Sequence, residues 1–306
     1  MTEKHFRHVL LRTVVCIAIL LLAIFVARCE SRRGWTADSV VNDSLLKSNG
    51  VPSEMVLEGV PRRFDFGNSP FRGSDLVRAI PNGAFGVGER LIYSVGYGMI
   101  KAGTASLEVK EIAKIGGNKC FRIFSSARSN KFFSVFFNVD DRIESFMDVY
   151  GLYPLRFEKH LIEGKYRADA YVEFDQKRRL AISGKDTVPV PIYVQDALSV
   201  LYYARSQKLE VGKSISVENY ADRKNYLLEI RVHRKERIEV PAGEFDCIVV
   251  EPLLRGSTVF KHEGKLFVWL TDDEKKMPVL MKSKASFLGS VNVSLKEYRL
   301  GEIGKY

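Results

Sequence analysis

Residues 89–97 read ERLIYSVGY, and in them Leu91, Tyr93, Val95 and Tyr97 recur at every second position. A period of two puts these four on one face of an extended strand. The same alternation returns in residues 104–112, 120–126, 142–148, 155–162, 166–174, 226–232, 245–250, 265–270, 279–284 and 290–298. Eleven or twelve short strands with no helices between them predict antiparallel meanders rather than parallel units with crossovers. The expected fold class is all-β with one or two short helices: a large curved antiparallel meander sheet forming a half-open barrel or a sandwich.

One stretch breaks the rhythm. Residues 196–207, DALSVLYYARSQ, place Leu198, Leu201, Tyr202 and Arg205 at helical spacing behind Pro189 and Pro191, with Asp196 as N-cap. A helix of three turns packed on the sheet would plug an open side and turn Tyr202 and Tyr203 inward. N-terminal to the strands, residues 31–85 lack apolar periodicity and are rich in Asn, Ser, Gly, Pro and Asp, the composition of a linker.

Lys4, Arg7 and Arg12 precede fifteen uncharged, mostly apolar residues, 13–27, which is the pattern of an export signal. At about 1.5 Å per residue the run spans about 22 Å, short of a ~30 Å hydrocarbon core. Cys29 directly after it resembles the lipobox of bacterial lipoproteins, although Arg28 stands where that motif has a small residue. Lipidation of Cys29, cleavage before Glu30 and an uncleaved anchor stay open, and each exports the domain. The expected organisation is a signal at 1–29, a flexible linker at 30–85 and one β-rich domain at 86–303.

The chain has 306 residues, 46% of them hydrophobic and 27% charged, which excludes collagen, coiled coil and disordered classes. Its net charge of +10 is spread out: 11 basic and 8 acidic residues up to Phe85, then 36 and 29 beyond it. No recognition motif accompanies that charge, so no nucleic-acid partner is expected. Beyond the signal the cysteines are Cys120 and Cys247, without Cys-x-x-Cys spacing, and His160, His233 and His262 are isolated from one another. Neither a metal nor a cofactor is expected, and no serine triad motif is present.

Residues 88–103 (GERLIYSVGYGMIKAG), 141–145 (DRIES), 196–205 (DALSVLYYAR), 243–247 (GEFDC) and 266–273 (LFVWLTDD), with Pro278, together resemble an uncharacterised bacterial envelope family, domain of unknown function 3108. The resemblance implies an exported β-rich domain of the periplasm or outer membrane with no assigned activity, and it carries over no catalytic residue. It also sets Asp141 in a strand, where an ion pair with Arg205 would fix the helix on the sheet.

Residues 132–137, FFSVFF, hold four phenylalanines that cannot share one face if extended. Either both faces are buried, or some rings reach a cavity mouth or lipid, with Lys131 beside a headgroup. The expected ligand-contact set is Tyr93, Lys131, Phe132, Phe136, Tyr202 and Trp269. Two functions remain open at this point. One is a non-enzymatic envelope domain that shelters an apolar or lipid-like ligand or docks a partner. The other is an envelope hydrolase acting on polysaccharide through carboxylates such as Asp140, Asp141 and Glu144, or Asp272 to Glu274.

Overall fold

The computed structural model describes residues 78–98, 100–255, 265–285 and 289–304. The expected signal, Cys29 and most of the expected linker lie outside the described residues.

Strands β1 (Arg90–Tyr97), β2 (Ile100–Ile115) and β3 (Asn118–Ser129) lead into helix α1 (Lys131–Phe136). Then come β4 (Asp140–Asp148), β5 (Pro154–Glu163), β6 (Tyr166–Asp175), β7 (Leu180–Ser183) and β8 (Asp186–Pro189), followed by helix α2 (Ser199–Arg205). The chain ends with β9 (Ser214–Ala221), β10 (Lys224–Val240), β11 (Gly243–Arg255), β12 (Lys265–Thr271), β13 (Pro278–Ala285) and β14 (Gly289–Arg299). All fourteen form one antiparallel sheet in the order β8-β7-β6-β5-β4-β3-β2-β1-β14-β13-β12-β11-β10-β9. The eleven stretches read from the sequence are all strands; β7, β8 and β9 are additional.

Register shows which face is inside. Leu91, Leu107, Ser125, Ile143, Lys159 and Ala170 are successive direct partners across β1 to β6, so their side chains share a face. Tyr93, Ala105, Ala127 and Asp141 form the next row of that face. In the other direction Val95 faces Val293, Met281 and Val268, all buried. This inner face carries the core.

Segment 78–88 and α2 plug one end. Phe85 is buried, with its ring 4.8 Å from Tyr202 and 5.2 Å from Phe121. Arg78 donates to the carbonyls of Gly151 and Leu152 and lies 4.2 Å over Tyr193. Residues 78–85, placed within the expected linker of 30–85, thus pack against the body. At the other terminus Val87 bridges Glu302. This is possible because Gly86 and Gly301 have no side chain: a Cβ on Gly301 would lie 2.0 Å from the Gly86 carbonyl oxygen.

The central helix is shorter than the expected 196–207. Asp196 still acts at its start, since Oδ1 accepts from the N–H groups of Leu198 (2.7 Å) and Ser199 (2.6 Å) while Ser145 Oγ donates to Oδ2. Stretch 132–137 is also corrected. Asn130 Oδ1 accepts from Phe133 N and starts α1, so the four phenylalanines divide by helical spacing rather than by alternation. Cys120 and Cys247 are free and buried on β3 and β11, with β2, β1, β14, β13 and β12 between them in the sheet.

Candidate functional site

The two edges of the sheet meet without a full ladder. β7 pairs with β6 only at Glu173–Asp175, so along Tyr166–Val172 the wall has a gap among the described residues. The β9–β10 turn spans it. Asp222 and Arg223 have φ of 46° and 63°, the two left-handed positions of a tight hairpin turn that Asn-Gly usually fills. Two ion pairs hold this turn across the gap: Lys159 Nζ to Asp222 Oδ1 at 3.1 Å and Arg223 Nη2 to Asp186 Oδ2 at 2.9 Å. Asn225 also donates to the Pro189 carbonyl, at 2.7 Å.

A cavity of about 590 Å³ lies at this seam, lined by Phe157, Val172, Phe174, Ala197 and Tyr220 together with Glu158, Lys159, Asp169, Asp222 and Arg223. Lys159 belongs to an otherwise apolar or small inner row and is only 7% exposed. Its ammonium has three donors and makes one hydrogen bond, to Asp222. Asp222 Oδ2 is buried without a hydrogen-bond partner. A spare donor and a spare acceptor therefore stand side by side in a lining that is part apolar and part polar, which suits a ligand with one polar end.

The expected site residues do not converge there. Tyr93 and Tyr202 are inside, both fully buried at the plugged end; Tyr93 donates to the Pro278 carbonyl at 2.8 Å, and Tyr202 Oη has no partner. Burial raises the pKa of both phenols. Trp269 is on the opposite face from Tyr93: it is partnered by Leu280, and Leu280 by Ser294, whereas Tyr93 faces Leu295. It does not line the interior, and its indole N–H donates to Glu236. Lys131, Phe132 and Phe136 are exposed on α1, away from the seam cavity.

Arg205 pairs with Glu89, not with Asp141. Both nitrogens of its fork donate to the Glu89 carboxylate at 2.7 Å, and further bonds reach the carbonyls of Lys275 and Ala84. Burial alone would lower the pKa of Arg205, but the charge and hydrogen bonds of Glu89 hold it above its ordinary value. Asp141 instead accepts from Ile162 N at 3.0 Å and faces inward near Glu163. Burial, then the Glu163 charge, pushes its carboxyl up to about 7. Asp141 Oδ2 and Glu163 Oε1 are buried without hydrogen-bond partners.

Sequence reasoning missed Lys159, Asp222 and Glu89. Lys159 was findable, because it occupies an inward position in the alternation Leu155, Phe157, Lys159, Leu161. A lysine in phase with an apolar face asks for a buried partner. Among the described residues no group of three or more His, Cys, Asp and Glu side chains is placed to hold a metal ion.

No curated protein matches the sequence. Solved structures with some likeness include a beta-barrel-like protein of domain of unknown function DUF1849 from Brucella abortus, 11% identical, covering 74% of this chain and 100% of that one with a TM-score of 0.45. Two others are a candidate lipoprotein from Parabacteroides distasonis (10%; 73% and 100%; TM-score 0.28) and a candidate exported protein with a YmcC-like fold from Bacteroides fragilis (8%; 72% and 99%; TM-score 0.28). The model of the family "Protein of unknown function (DUF3108)" matches residues 92–296, from within β1 to within β14, and the chain belongs to that family.

Proposed function

We propose that the protein is an exported, non-enzymatic envelope domain that takes an apolar, lipid-like ligand with one polar end into the seam cavity. The observation that carries this is the pair of buried Lys159 and half-buried Asp222, with spare hydrogen-bonding capacity, beside Phe157, Val172, Phe174 and Tyr220. The volume of about 590 Å³ falls within the range of about 300–1,000 Å³ typical of small-ligand sites. Export rests on the charged start and apolar run of residues 4–27.

The hydrolase reading needs two carboxylates across an open cleft. The inward pair Asp141 and Glu163 is instead shielded from water, at 1% and 5% exposure, so a sugar ring has no access to it.

Native mass spectrometry and lipid extraction of the purified protein test the proposal. A bound lipid, or tight binding of laurate, is expected. Ala170→Phe, which puts a ring into the cavity, should weaken binding with little change in melting temperature. A protein that carries no lipid and ignores laurate would sink the reading.

A further inference from the structure

The end of the barrel that carries α1 exposes apolar side chains that the core leaves out. Phe132, Val135 and Phe136 stand at i, i+3 and i+4 on one face of the helix, 66%, 80% and 65% exposed, while Phe133 turns inward. The rings of Phe132 and Phe136 touch, with centroids 5.6 Å apart. Ile100, 55% exposed, lies next to them: Asn130 ties the start of α1 to the first residues of β2 through bonds to the carbonyls of Lys101 and Ala102. The β5–β6 turn is bound from the other side, Gly164 N donating to the Asn138 carbonyl at 2.7 Å.

Charge around this knob is predominantly basic. Lys101, Arg128, Lys131, Arg142, Lys165 and Arg167 are all exposed, against Asp140, which already bonds Arg128 and Arg142, and Asp169, which bonds His160. Two phenylalanines, a valine and an isoleucine form a patch much smaller than a stable protein interface. A second copy would set one basic rim against another. Aromatic tips rimmed by lysine suit a surface that is apolar underneath and negative on top.

We propose that this end docks on an anionic lipid bilayer, with Phe132, Val135 and Phe136 in the interfacial layer and Lys101, Lys131 and Lys165 among the headgroups. The surface is separate from the seam cavity, and either reading can fail without the other.

The apolar run of residues 13–27 can bring the full chain to vesicles by itself, so the test must be local. Hydrogen exchange of the full chain is followed with phosphatidylcholine vesicles, with and without phosphatidylglycerol, at low and high salt. Amides of residues 131–138 are expected to slow at least about tenfold with phosphatidylglycerol vesicles, less so at high salt. Those of residues 148–153, at the plugged end, should not change. The double variant Phe132→Ser, Phe136→Ser should lose the protection while keeping the wild-type melting temperature. Unchanged exchange in 131–138, protection retained by the double variant, or a dimer that the variant converts to monomers would each overturn the proposal.

Discussion

The Arg205 guanidinium has no solvent exposure, so its charge is balanced chiefly by Glu89. Removing one partner of a buried pair strands the other, at a cost of about 3–5 kcal/mol. Arg205→Met should therefore destabilise by that much in urea unfolding, and a double variant with Glu89→Gln should recover part of the loss. The sequence contains both acids that could serve, Glu89 and Asp141, and periodicity does not choose between them. Their placement does: Asp141 is level with Tyr93, three strands away from β1, and Glu89 lies four residues further along β1's line, about 13 Å at ~3.3 Å per residue. Asp141 makes a different forecast. Its folded-state pKa of about 7 exceeds the ordinary 3.8, so the folded state holds the proton more tightly than the unfolded one. Its contribution is complete below pH 4 and lost as pH rises towards 7. Asp141→Asn should thus flatten the fall in stability between pH 4 and 7, which the shift from 3.8 to about 7 puts at up to about 4 kcal/mol by pH 8. Chemical denaturation across that range checks it, and an unchanged slope would count against the assignment.

Helix α1 is too short to be stable alone, and one buried ring, Phe133, together with the Asn130 cap holds it in place. Phe133→Ala should cost about 3 kcal/mol. Phe132→Ala and Phe136→Ala should each stay within about 0.5 kcal/mol, because water already reaches both rings. Equal losses at all three positions, read from thermal melts, would mean that α1 is core. The strands were legible because their inward residues alternate over five or more positions. β7 and β8 have four residues each, too few for a period to emerge, and β9 mixes Ile215 and Val217 with Glu218 and Asn219. FFSVFF is ambiguous for a related reason: six residues fit either period, and only the Asn130 side chain, bonding back to Phe133, decides for helix. The seam site was the least legible part. It joins Lys159 to Asp222, 63 residues away, through a turn whose backbone geometry no spacing announces.

At the scale of the whole molecule, the plug of residues 78–88 belongs to the fold. A chain beginning at Gly86 loses the buried Phe85 ring and the Arg78 clamp and should be about 3–5 kcal/mol less stable than one beginning at Arg78. Gly301→Ala probes the same closure from the other terminus and should cost about 2 kcal/mol or more, since the backbone of Gly86 cannot retreat. Urea titrations read both. The sheet itself consists of two meanders, β1 to β8 and β14 to β9, joined where β1 pairs with β14. Arg90 is paired opposite Arg299, and among the described residues every other strand is formed from the chain between them. Each hairpin can zip from its own turn within microseconds, but that central ladder closes a loop nearly as long as the domain. Folding is then paced by its last event. Until residue 299 is in place, the first strand keeps a bare edge open to any other chain, and synthesis from the N-terminus cannot shorten that interval.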